Sequence, residues 1–252
     1  MKPYDLTCVI PLYGEDCEDT SLRMVSSLAV QKTNYKVRYL FFVDDTVSQK
    51  AIDQINYLIG GKGIEYHILA SKETSSGYKR NIGINMSLDE SEFIWFIDQD
   101  DYLIKNETFD IVLDSFSMYP TLNFARVMFL VPDNIGAFNE KTIYSTPTMP
   151  FQWIIRTELL RDCRFRTDVE YGSDIPITIS ILAKEKFIRF NEDLTFAYIK
   201  DLPRFNIVLY YYNYLNNNSY MNKHTHLEDE KKRKEVDKAY EIIAEIRDKY
   251  EK

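Results

Sequence analysis

Cysteine is scarce, a glycine-rich loop is missing, and long apolar runs do not occur. The three cysteines, Cys8, Cys17 and Cys163, show no CxxC spacing in 252 residues. So odd and scattered a set points to a reducing cytoplasm rather than a disulfide framework, and Cys8, inside an apolar run, reads as core. No secretory leader is expected, because Lys2–Asp5 runs straight into a strand-like segment. No stretch approaches the roughly 18 apolar residues of a transmembrane segment. A basic excess is also lacking: the net charge is −8 and the pI about 5.1. The overall field does not draw nucleic acid or an anionic membrane, although a local basic patch still could. Neither internal repeats nor a low-complexity linker is visible.

What is present is ordinary globular composition, 45% hydrophobic and 28% charged, enough for one large domain or a domain with a small appendage. Four short apolar segments read as buried strands: LTCVIPLY (6–13), VRYLFFVDD (37–45), IEYHILA (64–70) and EFIWFIDQDD (92–101). Between them lie helical patterns. Leu22, Val25, Leu28 and Ala29 recur at helical spacing, as do Ile52, Ile55 and Ile59 ahead of a glycine stop. GYKRNIGINMSLDE (77–90) is a third helix. Such alternation predicts an α/β fold with a mostly parallel, Rossmann-like sheet flanked by helices. Later segments are mixed. NFARVMFLVP and LTFAYIKD read as strands and DIPITISILAKEK as a helix. RFNIVLYYYNYLNNNSYMNK is apolar, then loop-like. A charged C-terminal helix over 227–250 carries Val236, Tyr240, Ile243, Ile246 and Tyr250 on one stripe. Such a stripe has to be buried, against its own domain or in a homodimer.

Ligands of parallel sheets bind beyond the carboxyl ends of the strands. Two acidic clusters, Asp44/Asp45 and Asp98/Asp100/Asp101, fall at those ends. Hard carboxylate oxygens gathered in a loop suit Mg²⁺ or Mn²⁺, which offsets their mutual repulsion and can clamp a diphosphate. The plainer alternative is a solvated turn that caps the next helix.

Four segments in order, CVIPLYGED, FFVDD, SGYKRNIGI and FIWFIDQDDYL, resemble the successive motifs of family 2 glycosyltransferases, which have the GT-A fold. The resemblance is close over about residues 5–105 and looser through EYGSDIPITISIL and YYYNYLNNNSYMN. It implies an inverting, metal-dependent enzyme using Mn²⁺ or Mg²⁺ and a nucleotide-sugar donor, a UDP-sugar first among them. Tyr13 would stack on the nucleobase and Asp45 would accept a hydrogen bond from it, with Asp44 shaping the turn. The family usually reads DDGS where this chain reads DDTV. Arg80 and Asn81, at a helix start, would serve phosphate or ribose, and Lys79 would be a solvated charge. Asp98 would contact ribose or metal, Asp100 would ligate the metal, and Asp101 would be structural. His226, or its neighbour His224, would complete the metal shell, against the alternative of solvated loop histidines. Asp174 would be the general base, with Ser173 standing where the family has glutamate; the alternative is a helix cap before Pro176.

The implied organisation is a nucleotide-sugar half (1–105), an acceptor half (106–226) and the C-terminal amphipathic helix (227–252). A cell-surface glycan is the leading acceptor, with a hydroxymethylated DNA base, as for phage-type enzymes, second. A non-catalytic nucleotide- or glycan-binding protein is the alternative outside enzymes. A nucleotidyltransferase is disfavoured because PLYGEDCEDT holds a single glycine. Arg156, Arg161, Arg164, Arg166, Lys184, Lys186 and Arg189 crowd the flanks of Asp174 and suit a phosphate-bearing acceptor. Pairing with the interleaved Glu158, Asp162, Asp168 and Glu170 is the competing explanation. Trp153 is either a sugar platform or core.

Overall fold

The computed structural model describes residues 2–14, 17–130, 153–168, 173–192, 196–211 and 229–251. An eight-stranded sheet runs through the molecule in the order β3-β2-β1-β4-β7-β6-β10-β5. Its first half is β3 (Glu65–Ala70), β2 (Val37–Val43), β1 (Tyr4–Pro11) and β4 (Ser91–Phe96), all parallel. Helices α1 (Cys17–Ala29), α2 (Gln49–Ile59) and α3 (Ser76–Ser87) make the crossovers. The second half holds β7 (Trp153–Arg156), β6 (Phe124–Leu130), β10 (Arg204–Tyr211) and the two-residue β5 (Tyr102–Leu103). There β7 runs antiparallel to both β4 and β6, β10 is parallel to β6, and β5 closes the edge antiparallel to β10. A short β8 (Ile188–Phe190) and β9 (Phe196–Tyr198) form a separate ribbon.

Alternating side chains build one core on each face of the sheet. Leu6, Cys8 and Ile10 of β1, with Tyr39, Phe41, Phe93 and Trp95, pack under α1, α2 and α4 (Thr108–Met118). Val9, Leu40, Phe42, Ile94 and Phe96 face α3, α5 (Ile175–Lys184) and α6 (Asp229–Tyr250). No helix among the described residues is long and apolar enough to cross a membrane. All three cysteines are free and buried.

Glycine lets α3 lie against the sheet. A Cβ at Gly83 would stand 2.6 Å from the Val9 side chain, and one at Gly77 would stand 2.4 Å from the Arg166 carbonyl oxygen. The helix is thus wedged between β1 and the segment leading to α5. Ser75 caps its start by accepting the Tyr78 N–H.

Helix α4 is an element beyond those expected from the sequence, with Phe109, Val112, Leu113 and Phe116 buried at helical spacing. Trp153 is core rather than a sugar platform: it is 2% exposed, and its ring lies 4.9 Å from that of Phe124. The C-terminal helix docks on its own domain. Ile243 and Ile246 enter the core with α5, while Lys249 and Tyr250 hydrogen-bond Asp162 at 2.7 and 3.1 Å.

Candidate active site

The carboxyl ends of β1, β2 and β4 converge with the start of α3, which sends Lys79 and Arg80 to them and Asn81 to the segment around Phe165. Lys79 is fully buried, so the expectation of a solvated charge fails. Its Nζ donates to the Leu12 carbonyl and to Asp44 Oδ2, both at 2.6 Å. Burial pulls the lysine pKa down while Asp44 works against it. Burial also opposes ionisation of Asp44, but hydrogen bonds from Lys79 and Thr46 hold its carboxyl below the ordinary range. Asp44 therefore shapes the turn, and Asp45 beside it is exposed.

Arg80, 7% exposed, is hydrogen-bonded to Asp98, and its guanidinium lies 5.3 Å from the centre of the Phe165 ring. Burial disfavours its charge, yet the carboxylates of Asp98 and Asp174 raise its pKa. Its Nε is buried without a hydrogen-bond partner. Asn81 is spent on backbone: Nδ2 donates to the Phe165 carbonyl at 2.8 Å, and Oδ1 accepts the Phe165 N–H at 2.9 Å. Through Phe165 and Gly77, α3 thus fixes the strand of chain that leads to Asp174. The Arg166 N–H continues the link by donating to the Ser173 carbonyl at 2.9 Å.

The acidic loop after β4 is held from several sides. Gln99, the residue between the two outer carboxylates, accepts the Tyr13 N–H at 2.8 Å and donates to the Tyr13 carbonyl at 3.1 Å. Tyr210 of β10 donates its hydroxyl to Asp101 at 2.7 Å and accepts the Asp98 N–H at 3.2 Å. Asp101 is completely buried and structural, as expected, though by binding Tyr210 rather than by capping a helix. Asp98 and Asp100 remain partly exposed. Tyr13 is half-buried, and its hydroxyl pKa is pushed up by burial and then by Asp100 and Asp98, which puts the phenol near these carboxylates.

Asp174 stands at the N-cap position of α5, but its side chain makes no capping hydrogen bond. The carboxyl hydrogen-bonds its own backbone N–H instead, unlike an ordinary cap. Burial raises its pKa to about 7; Arg80 opposes the shift and Asp98 adds to it. Asp174 thus lies within electrostatic reach of the Arg80–Asp98 pair.

No three His, Cys, Asp or Glu side chains converge as a metal site among the described residues. Asp98 and Asp100 still offer hard oxygens, and Mg²⁺-type sites commonly use one or two carboxylates with substrate phosphates completing the shell. The donor set suits such a shared site. His224, His226 and Glu170 lie outside the described residues. The basic residues that flank Asp174 in sequence are largely paired: Arg156 with Glu92 and Arg161 with Asp89, both at the amino end of β4, Arg166 with Asp168 and Lys184 with Asp162. Arg164 binds the Leu160 carbonyl and Asn85.

Residues 7–164 match the family model described as glycosyl transferase family 2. The chain belongs to that family. No curated protein matches the sequence. Among solved structures, S. aureus TarS 1-349 in complex with UDP superposes with a TM-score of 0.62 at 17% identity, over 83% of this chain and 60% of that one. The same fragment with UDP-GlcNAc gives 0.62 at 19% identity, over 83% and 58%. Mannosyltransferase PcManGT from Pyrobaculum calidifontis, in complex with GDP-Man and Mn²⁺, gives 0.51 at 16%, over 73% and 53%. At these identities the likeness is one of fold, the GT-A glycosyltransferase fold. The chain spans less than two thirds of each of these chains.

Beside Lys79, expected to be solvated, Thr46, Gln99, Phe165 and Tyr210 help build this candidate site without an expected role. A lysine in the middle of GYKRN, where Gly77, Arg80, Gly83 and Ile84 also face inward, was a legible signal of burial. The Tyr210 contact, 109 residues from Asp101, had no local signal.

Proposed function

We propose that this family 2 glycosyltransferase moves a sugar from a nucleotide-diphosphate donor to an acceptor hydroxyl with inversion. The observation that carries the reading is the uncapped Asp174 carboxyl, held near neutrality across Arg80 from the Asp98–Asp100 loop.

The nucleotide would lie at the carboxyl ends of β1, β2 and β4. Tyr13 stacks on the base and Asp45 accepts a hydrogen bond from it. Asp98 meets the ribose or the metal, and Arg80 neutralises the carboxylates around the sugar. Asn81 positions Phe165 and, through it, the approach to Asp174. A UDP-sugar is the first candidate, supported by the UDP and UDP-GlcNAc complexes of TarS. Asp98 and Asp100 would hold Mn²⁺ or Mg²⁺, with His226 as a further ligand, and the ion supplies positive charge to the departing diphosphate. Residues 1–105 carry the donor and 106–226 present the acceptor.

Asp174 takes the proton from the acceptor hydroxyl as its oxygen attacks the anomeric carbon. The bond from that carbon to the diphosphate oxygen breaks in the same step. A base with a pKa near the working pH is well matched to this transfer. The paired arginines favour a neutral surface glycan over a phosphate-bearing or DNA acceptor, since their charge is already compensated locally.

Thermal-shift titration with UDP-, GDP-, ADP- and CMP-sugars in Mn²⁺ tests the donor, because a bound ligand stabilises by mass action. Stabilisation by one donor with release of its nucleotide on turnover supports the reading. Binding with no release leaves a non-catalytic sugar-nucleotide binder, and no binding removes the proposal.

A further inference from the structure

Past the Leu12 N–H, which donates to the Phe42 carbonyl of β2 at 2.8 Å, side chains take over most of the backbone of Leu12–Gly14. Lys79 Nζ bridges the Leu12 carbonyl and Asp44 Oδ2. Asp44 Oδ1 accepts the Thr46 N–H at 2.9 Å and the Thr46 hydroxyl. Thr46 Oγ1 in turn accepts the Gly14 N–H at 2.8 Å. Gly14 has φ of 87°, a conformation that glycine adopts without strain. Gln99 holds both backbone groups of Tyr13. The result is a closed polar ring from β1, through α3, to the turn after β2.

A buried lysine–aspartate pair is an expensive way to join two strand ends, and apolar packing of equal volume is often as stable. What the ring adds is direction. Its hydrogen bonds fix the backbone on which Tyr13 and Asp45 are carried, and it uses neither of those side chains.

We propose that Lys79, Asp44 and Thr46 are positioning residues that set the base selectivity of the donor site, by fixing the backbone that carries Tyr13 and Asp45. The inference rests on the reading that a nucleoside diphosphate binds at these strand ends. Affinity is sensitive to such positioning because a preorganised site loses less on binding.

Two variants test it. Thr46→Val removes one hydroxyl, keeps the side-chain shape and leaves the charge pair intact. Lys79→Met combined with Asp44→Asn removes both buried charges together, so that neither is stranded. UDP, GDP, ADP and CDP are each titrated calorimetrically with Mn²⁺ into the unaltered protein and both variants, and thermal unfolding is followed in parallel. The unaltered protein should prefer one base. Thr46→Val should weaken the preferred nucleotide about threefold to tenfold, the range for one lost hydrogen bond. In both variants the ratio of preferred to other nucleotides should shrink, by about tenfold or more in the double variant if the ring orients both base contacts. A lower unfolding temperature with an unchanged ratio would assign the ring a purely structural role and overturn the inference. So would an unaltered protein that binds all four nucleotides alike, which leaves the donor reading standing. An unaltered protein that binds none overturns the donor reading and this inference with it. Should the double variant not fold, the Thr46→Val ratio decides alone.

Discussion

The two halves of the sheet are assembled by different rules. From β1 to β4 every strand is parallel and each crossover is a single helix packed nearby. Beyond β4 the direction changes at β7, and β5 pairs with a strand more than a hundred residues later. The candidate site lies on the seam. Asp98 and Asp101 belong to the first half and are fixed by Tyr210 of the second, while α3 of the first half fixes Phe165 ahead of Asp174. On the proposed reading, the strand ends that would take the donor come from consecutive β–α units and are braced by Tyr210 of the second half, while the base that would act on the acceptor is delivered wholly by long-range contacts.

That division can be broken from either side. The largest effect is expected within the first half. Asp100→Ala should lower Mn²⁺-dependent affinity for a nucleoside diphosphate by about 100-fold or more, since even outer-shell changes around a metal cost about 10–100-fold. The protein should stay folded, and calorimetric titration with and without Mn²⁺ checks both points. In the second half, Ile243→Ala should destabilise by about 2 kcal/mol or more through lost burial and a cavity between α6 and α5. Denaturant unfolding measures this, and nucleotide affinity below the transition should be unchanged.

A smaller effect links the halves through pH. Burial holds the folded Asp174 carboxyl at about 7, whereas an unfolded chain has the ordinary value of about 4. The folded state keeps its proton longer, so the contribution to stability is full below about pH 4 and lost as pH rises through about 7. Asp174→Asn should therefore raise the unfolding temperature over the parent more at pH 8 than at pH 5. An equal difference at both values would remove the raised carboxyl pKa from the account. The smallest effect belongs to Arg161→Ala, whose surface pair with Asp89 should contribute less than about 1 kcal/mol. Acceptor affinity should then change little with this substitution or with salt; a steep salt dependence would restore a polyanionic acceptor.

Legibility in the sequence follows the same division. The buried strands around Cys8, Phe41 and Trp95 and the acidic strand ends were readable, because a parallel strand is a short apolar run and its ligand edge is polar. Lys79 was misread because charge outweighed position: a lysine is taken for a surface residue until its partner is known, and Asp44 lies 35 residues away. Trp153 could not be assigned from sequence, since an aromatic side chain serves core and sugar platform equally well until its neighbours are fixed. Tyr210 sat in an apolar stretch read only as apolar, and its hydroxyl gained meaning from Asp101 across the sheet.

The most direct test of the central claim is the rate of nucleoside diphosphate release by Asp174→Asn at saturating donor and acceptor, with donor affinity measured on the same protein. The account predicts a fall of about 10²-fold or more, the range for losing a positioned proton acceptor, with donor affinity nearly intact. Release at close to the parent rate, with donor bound equally well, would contradict it.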